Sequence, residues 1–160
     1  MVIRYTGKLD GLLLDNGEPF VLDDKTGARI DEAWLSQWIL SQQITGYCLC
    51  ASVLVKQTVF KAHVIGMSIP AAKDLMMTVR QENVTRNERM FKDWANWVYH
   101  TVKMDEEFRD RPAEAPMYTH SCNRYFRPCS LVPFCAEDSV EGRNQILTEM
   151  EHDPWDVLDS

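Results

Sequence analysis

Two acidic residues and one lysine near the N-terminus are spaced so that they could build a cation site. Asp10 lies in the first apolar segment, and Asp23 and Lys25 lie at the end of the second. Residues two apart on a strand point to the same face, so Asp23 and Lys25 would share one. Two carboxylates can hold Mg²⁺ or Mn²⁺, which activates a water and stabilises charge on a phosphate, while an amine orients or deprotonates that water. An acid-x-Lys triplet also occurs by chance at solvated strand ends.

A glutamine and a tyrosine one helical turn apart form a second pair of interest. Gln43 and Tyr47 would lie on the same face of a helix. Core packing does not require two polar groups at the start of an otherwise apolar face. The alternative is a satisfied polar pair at the edge of a helix, which the pair alone does not exclude.

Three cysteines towards the C-terminus are spaced for a loop around an ion or a cluster. Cys122, Cys129 and Cys135 fall within 14 residues, with Pro128 and Pro133 between them. Their spacing differs from the C-x₂₋₄-C pairs of zinc sites, whereas iron–sulfur clusters are held by four thiolates in varied spacings. The spacing by itself therefore leaves an iron–sulfur cluster, another ion or no metal open.

A fourth ligand for such a cluster could come from His120, from Cys48 or Cys50, or from another chain. Cys48 and Cys50 lie on an apolar helical pattern, so packing in the core is their expected role. The total of 5 cysteines is odd, and the N-terminus lacks the apolar stretch of a signal peptide. Both observations argue against a disulfide framework.

The elements that must position these residues follow from hydrophobic periodicity and turn signals. Asn16-Gly17 between two apolar runs predicts a β-hairpin, and a capping box of Thr85 and Glu88 opens a later helix. The predicted order is strands 4–14 and 19–22, a helix 31–55 capped by Asp31, strands 58–69 and 75–80, a helix 85–108 and a short helix 140–150. A mixed central β-sheet flanked by helices buries these faces, so the fold class is α/β.

Length and charge set limits on the function. The chain has 160 residues, the size of about one domain, and a net charge of −7. Nucleic-acid binding by charge alone usually requires a basic protein, so a DNA groove here would be a local basic patch that binds weakly without metal. No apolar run approaches the length of a membrane span, and the N-terminus lacks the apolar stretch of a signal peptide, which predicts no membrane partner and a protein in the cytoplasm of its host cell.

Together the motifs resemble a known family. The segment ending at Asp10, the Asp23-x-Lys25 triplet and the Gln43-x-x-x-Tyr47 pair match in order and spacing the RecB-like branch of the PD-(D/E)XK nucleases. That branch includes CRISPR-associated and phage exonucleases. The match is close over about 5–47 and looser beyond, and it implies a restriction-endonuclease-like core.

The resemblance also implies the roles of individual residues. In that family the first Asp and the Asp of the triplet bind Mg²⁺ or Mn²⁺, the lysine is catalytic, and the Gln/Tyr pair supports the site and contacts DNA. Carried over, these roles fall on Asp10, Asp23, Lys25, Gln43 and Tyr47, with the backbone carbonyl of Asp24 as a further metal ligand. Many members carry a [4Fe–4S] cluster on three C-terminal cysteines and one upstream cysteine, and only the C-terminal three are matched here. With this resemblance, the order of interpretations for the cysteines is an iron–sulfur cluster first, then no metal, then zinc.

Arginines near these motifs are the candidates for a phosphate-contacting patch, with solvated surface arginines as the equal alternative. They are Arg86, Arg89, Arg124 and Arg127. The expected organisation is a nuclease core over 1–111, a cysteine-cluster loop over 112–136 packed on the same domain, and an acidic C-terminal helix and tail over 137–160. The family's usual N-terminal helical segment is not matched, so the chain is expected to be a shortened relative, a truncated form or one half of a split protein.

The expected function is a metal-dependent deoxyribonuclease, of the exonuclease type, in recombination, repair or phage DNA processing. The alternative is a shortened, non-catalytic nuclease fold that binds DNA or a partner protein, with a homo-oligomer or a partner chain supplying the missing elements. A weaker third hypothesis, based on the acidic C-terminus, is an inhibitor that mimics DNA charge.

Overall fold

The computed structural model describes residues 2–68, 77–116, 123–124, 127–128 and 129–150. The chain divides into two compact units, Met1–Tyr99 and His100–Ser160. The boundary therefore lies inside the long third helix, whereas the sequence places a boundary after residue 111. Each unit is described by itself.

The first unit is built around a four-stranded mixed sheet. Its strands are β1 (Gly11–Asp15), β2 (Glu18–Gly27), β3 (Lys61–Ser68) and β4 (Thr78–Thr85), in that spatial order. Its helices are α1 (Glu32–Ser36), α2 (Gln42–Val55) and the first part of α3 (Glu88–Phe108). The α/β class, with a mixed sheet and flanking helices, is confirmed.

Strand pairing follows from local chemistry at the first turn. β1 and β2 pair antiparallel around Asn16 and Gly17, whose φ angles of 50° and 85° are the positive values that a type I′ turn requires. β2 then pairs parallel with β3, and β3 pairs antiparallel with β4. The predicted hairpin is confirmed, although regular pairing in its first strand begins only at Gly11.

One face of the sheet packs against α2 and forms the core. The cluster contains Val21, Ile44, Cys48, Ala51, Val59, Ala62, Val64 and Val84, all nearly or fully buried. Since side chains alternate along a strand, Val21, Asp23 and Lys25 all project to this helix-covered face. The candidate site therefore lies at the edge of the hydrophobic core of the first unit.

The single helix expected over 31–55 is wrong in the structure. Asp31 caps the short α1, with its carboxylate accepting from the Trp34 N–H at 3.0 Å. α2 starts afresh at Gln42 behind its own N-cap, Ser41. No proline or glycine in the sequence marks this break. The turn between the two helices is stabilised by hydrogen bonds from Arg86, which is distant in the chain.

The start of α3 also differs from the expectation. Asn87, not Thr85, caps the helix, and its side-chain oxygen accepts from the Met90 N–H at 2.9 Å. Thr85 remains the last residue of β4, paired with Lys61. The strand predicted over 75–80 consequently extends to Thr85, because pairing with β3 overrides the local capping signal.

The second unit contains the C-terminal part of α3, a 3₁₀ turn (Pro112–Glu114), the two-stranded hairpin β5 (Asn123–Arg124) and β6 (Arg127–Pro128), α4 (Val132–Ala136) and α5 (Val140–Glu149). The predicted short helix over 140–150 is confirmed as α5. Its Arg143 donates to the carbonyls of Glu137 at 2.8 Å and Ala113 at 3.0 Å, which ties α5 to the 3₁₀ turn. In the parts of the chain that the structure describes, no helix has the length and apolar character to span a bilayer.

Candidate functional site

The hairpin brings the two acidic residues together. Gly11 pairs with Leu22, so the next step along the ladder sets Asp10 beside Asp23. The Asp10 carboxylate oxygen Oδ2 accepts a hydrogen bond from the backbone N–H of Asp24 at 2.9 Å. This bond fixes an exposed acid against the strand that carries the buried one.

Asp23 is a buried carboxylate paired with a lysine from its own strand. Its side chain is 1% exposed, that of Lys25 is 25% exposed, and the Lys25 Nζ lies 2.8 Å from both Asp23 oxygens. The geometry makes a hydrogen bond to Oδ1 only, and Oδ2 is a buried oxygen without a hydrogen-bond partner. Oδ2 thus has the Lys25 ammonium beside it but no aligned donor, so a cation or an ordered water could complete its coordination.

Burial and neighbouring acids act on Asp23 in the same direction. Burial raises the pKa of the Asp23 carboxyl, Lys25 lowers it, and the charges of Asp10 and Asp24 raise it again, with a net upward shift. The carboxylate is therefore held ionised at a cost, and a bound cation would relieve both causes of the rise. A bound divalent cation would add positive charge beside the carboxylates of Asp10, Asp23 and Asp24, where the single Lys25 ammonium leaves an excess of negative charge.

Two indoles line the position of the lysine. The Lys25 Nζ lies 5.8 Å from the centroid of the Trp38 ring, and Trp38 makes an edge contact with Trp34 at 5.3 Å. Trp34 in turn lies on Gly66, the β3 residue paired with Lys25, where a Cβ would come within 2.4 Å of the ring. The sequence analysis did not predict these two tryptophans as part of the site, although a glycine inside an apolar strand indicates the close approach of another group.

The glutamine–tyrosine pair is formed as a unit on α2. The Gln43 Nε2 donates to the Tyr47 hydroxyl oxygen at 2.9 Å, one turn apart as expected. In this described region, no hydrogen bond joins either side chain to Asp10, Asp23 or Lys25. Their support of the site and their contact with DNA stay predictions.

The chain before β1 packs across α2. The Tyr5 ring meets Trp94 edge-on at 4.8 Å, and a Cβ on Gly46 would lie 2.6 Å from the Tyr5 hydroxyl oxygen. A Cβ on Gly7 would lie 3.2 Å from the Tyr47 ring. The segment that leads into Asp10 is thereby seated in a notch that Gly46 leaves open beside Tyr47.

The donor set fits a hard cation bound by few protein ligands. Across residues 2–68, 77–116 and 129–150, no group of three or more His, Cys, Asp or Glu side chains is arranged to hold a metal ion. Mg²⁺ is commonly bound through one or two carboxylates plus waters and substrate phosphate, and Asp10 and Asp23 meet that lower requirement. The carbonyl of Asp24 as a further ligand stays a prediction.

The expectation that Arg86 contacts DNA is wrong. The residue is 2% exposed, and its guanidinium donates to the carbonyls of Ile39 and Trp38 and to the Thr45 hydroxyl. Every donor is directed into the protein, so none is available to a phosphate. No local pattern could reveal this burial, because these acceptors lie more than 40 positions away from Arg86 in the chain.

The other three arginines of the expected patch have different settings. Arg89 is 90% exposed at the start of α3 and pairs with Asp93 at 3.5 Å. Arg124 and Arg127 face each other as a pair of the small hairpin, and their side chains lie outside the described residues. Their contact with phosphate stays a prediction.

The cysteines divide between the two units. Cys48 is fully buried in the core, and burial raises the pKa of its thiol to about 11, so it is unsuited to serve as a cluster ligand. Cys50 is partly buried, and burial raises the pKa of its thiol as well. Cys129 and Cys135 carry free, partly buried thiols next to and within α4. Cys122 and His120 lie outside the described residues.

Comparison with known proteins assigns no family. No family model, no curated protein and no solved structure matches the chain.

Proposed function

We propose that the protein is a Mg²⁺- or Mn²⁺-dependent deoxyribonuclease. The observation that carries the proposal is the buried Asp23 carboxylate, which has one oxygen without a hydrogen-bond donor and lies against Lys25 and beside Asp10. A structural ion pair would not need the second acid on the same hairpin. In a metal-dependent phosphodiesterase, two acids can hold the cation and an amine can stabilise the charge that develops on the phosphate.

The proposed chemistry assigns a distinct task to each side chain. Asp10 and Asp23 would hold a divalent cation, which when bound supplies Lewis-acid stabilisation of the phosphate and a water of lowered pKa. The Lys25 ammonium orients the attacking water or neutralises charge on the phosphate from its partly exposed position. Gln43 and Tyr47 would contact the DNA strand and the neighbouring part of the site.

A second candidate is a nuclease fold that binds DNA or a partner protein without cleaving. Two observations weigh against DNA as the ligand and so favour the form of this candidate that binds a partner protein: the net charge is −7, and the burial of Arg86 removes one of the four arginines proposed to bind phosphate. Such a module would act with a second copy or a partner chain. The two candidates differ in whether bound linear DNA is hydrolysed when a divalent cation is supplied.

The test is cleavage of linear double- and single-stranded DNA with Mg²⁺ or Mn²⁺, with EDTA as the control. We expect cation-dependent cleavage that Asp10→Asn reduces by about a hundredfold or more, because one of two cation ligands is lost. Asp15→Asn, an equal change of charge at the far end of the same hairpin, should retain cleavage. DNA binding without cleavage under all these conditions would replace the nuclease with the non-catalytic module.

We also propose that Cys122, Cys129 and Cys135 hold a [4Fe–4S] cluster, with zinc as the less favoured ion. The thiols of Cys129 and Cys135 are free and only partly buried, so they are available as ligands. We expect anaerobically purified protein to be brown and to contain about four iron atoms per chain, and Cys135→Ala to lose both. Colourless protein with bound zinc, or with no metal, contradicts the cluster.

A further inference from the structure

We infer that Arg86 is a positioning residue: it fixes the turn between α1 and α2 so that the Trp38 ring lies against the Lys25 ammonium. The inference rests on the proposed function for its catalytic consequence. The structural part, that Arg86 sets the place of Trp38 beside Lys25, can be tested without any activity.

The contacts of Arg86 converge on the turn formed by residues 37–41. Its Nη1 donates to the Ile39 carbonyl at 2.9 Å, and its Nη2 donates to the carbonyls of Trp38 at 3.0 Å and Ser41 at 3.3 Å. Its Nε donates to the Thr45 hydroxyl at 2.9 Å in the first part of α2. One guanidinium thus holds both sides of the break between the two helices.

Arg86 is itself anchored to the sheet. Its backbone N–H donates to the carbonyl of Phe60, just before β3, and its Nη1 also reaches the Thr85 carbonyl at 3.4 Å. All five guanidinium N–H groups therefore have an acceptor, and each of these acceptors is an uncharged oxygen. A rigid connection runs from the sheet through Arg86 to the turn.

A buried arginine without a carboxylate partner is a costly way to close a turn. Arg86 is 2% exposed, and burial lowers the pKa of its guanidinium. Backbone capping or a single serine can satisfy a short break between helices without burying a charge. Burying this charge is reasonable if Arg86 has to fix the position of the turn and not only satisfy its backbone hydrogen bonds.

The turn has a direct connection to the proposed site. The Trp38 ring lies 5.8 Å from the Lys25 Nζ, yet the Trp38 Nε1 is buried without a hydrogen-bond partner. No hydrogen bond of its own side chain therefore orients this indole. Its place depends on its packing against Trp34 and the core, and on the backbone that Arg86 holds. The same turn leads into α2, which carries Gln43 and Tyr47.

The activity-independent test uses ring-current shifts in NMR spectra of the full chain. The Lys25 side-chain resonance is identified by its loss in Lys25→Met. We expect the face of Trp38 to shift the Lys25 Cε protons upfield, and Trp38→Leu to abolish this shift. Arg86→Lys should reduce the shift by at least about half, because one lysine ammonium cannot bind all the acceptors that the planar guanidinium of Arg86 binds. An unchanged Lys25 resonance in a folded Arg86→Lys variant overturns the inference.

If Arg86→Lys does not fold, Thr45→Val replaces it. That variant removes the acceptor of the Nε donor and also the hydrogen bond that the Thr45 hydroxyl donates to the Ser41 carbonyl at 3.0 Å. We expect a smaller reduction of the same shift, because the Nη contacts of Arg86 remain, with circular dichroism as the check on folding. An unchanged Lys25 resonance in this variant likewise contradicts the inference.

The catalytic part is tested by a double-mutant cycle on cleavage. We expect Arg86→Lys to lower kcat by about tenfold with KM for DNA nearly unchanged, since misplacing a group near the chemistry acts on the reaction step. In a Trp38→Leu background the same change should lower kcat by less than about twofold, because the two residues act through one contact. Additive losses would mean a general structural role and reject the positioning role. If the wild-type chain cleaves no DNA, the proposed function fails, while the NMR result still decides whether Arg86 places Trp38.

Discussion

Asp23→Asn should abolish both cation binding and DNA cleavage, whereas Lys25→Met should abolish cleavage and keep cation binding. Asp23 provides the buried oxygen that lacks a donor, so its neutral amide loses the charge that holds a divalent ion. Lys25 provides no ligand atom for a cation, because an ammonium has donors only. The two variants therefore separate the binding of the cation from the chemistry.

The magnitude follows from the charges involved. We expect cleavage to fall by about a thousandfold in each variant, as for the loss of a principal electrostatic group in an active site. Removing the Lys25 charge from beside both Asp23 oxygens should tighten Mn²⁺ binding by about tenfold, because like-charge repulsion between the ammonium and the ion is removed. Isothermal titration with Mn²⁺ measures the affinity, and a gel assay on linear DNA measures cleavage.

The pH dependence gives an independent check on Asp23. Its pKa lies above the ordinary value of 3.8, so protons compete with the cation at a higher pH than at an exposed aspartate. Mn²⁺ affinity should therefore weaken as the pH falls through this raised pKa. Without a cation, the stability contribution has the opposite sign: it is greatest below 3.8 and is lost as the pH rises through the raised pKa. Asp23→Asn should lack both effects.

The matched control for Asp23→Asn and Lys25→Met is Asp15→Asn, which changes the charge by one unit on the same hairpin. Asp15 is exposed, and its carboxylate accepts only from the neighbouring Asn16 side chain among its described contacts. We expect wild-type cation affinity and cleavage in this variant. Equal activity of wild-type and Lys25→Met protein would reject the nuclease assignment, whatever the binding data show.

Gly66→Ala should destabilise the protein and reduce cleavage, although a glycine-to-alanine change in a strand ordinarily stabilises. The added Cβ would lie 2.4 Å from the Trp34 Cη2 and 2.6 Å from its Cζ3, so the indole must leave its place on the sheet. Overpacking of this kind costs about 1–3 kcal/mol, against a gain of about 0.4–1 kcal/mol from the stiffer unfolded chain. The clash therefore decides the sign.

The effect on cleavage follows from where Gly66 lies. It pairs with Lys25 across β2 and β3, and Trp34 contacts Trp38, the ring beside the lysine. Urea unfolding measures the stability, and we expect Trp34→Leu to recover most of the loss caused by Gly66→Ala, since the smaller side chain makes room for the methyl group. A Gly66→Ala variant as stable as wild type contradicts the packing described here.

Local chemistry fixed the features that the sequence predicted correctly. The hairpin depends on two positive φ angles at Asn16 and Gly17, which few residues adopt readily. The shared face of Asp23 and Lys25 depends only on the period of a strand, and the pairing of Gln43 with Tyr47 depends only on the pitch of a helix. The arrangement of Asp10 beside Asp23 then follows from the register that the two-residue turn imposes.

Tertiary structure decided the features that involve distant partners. The helix expected over 31–55 breaks because Arg86, more than 40 residues away, supplies donors to the carbonyls of the turn. The burial of Arg86 and the seating of Trp34 on Gly66 have the same origin, since neither contact follows from a local period or a capping preference. The sequence by itself determined a hairpin that carries two acids and a lysine. Only long-range packing determined that one acid is buried in an ion pair with the lysine and that the Trp38 ring lies beside that lysine, because burial depends on every element that covers a residue.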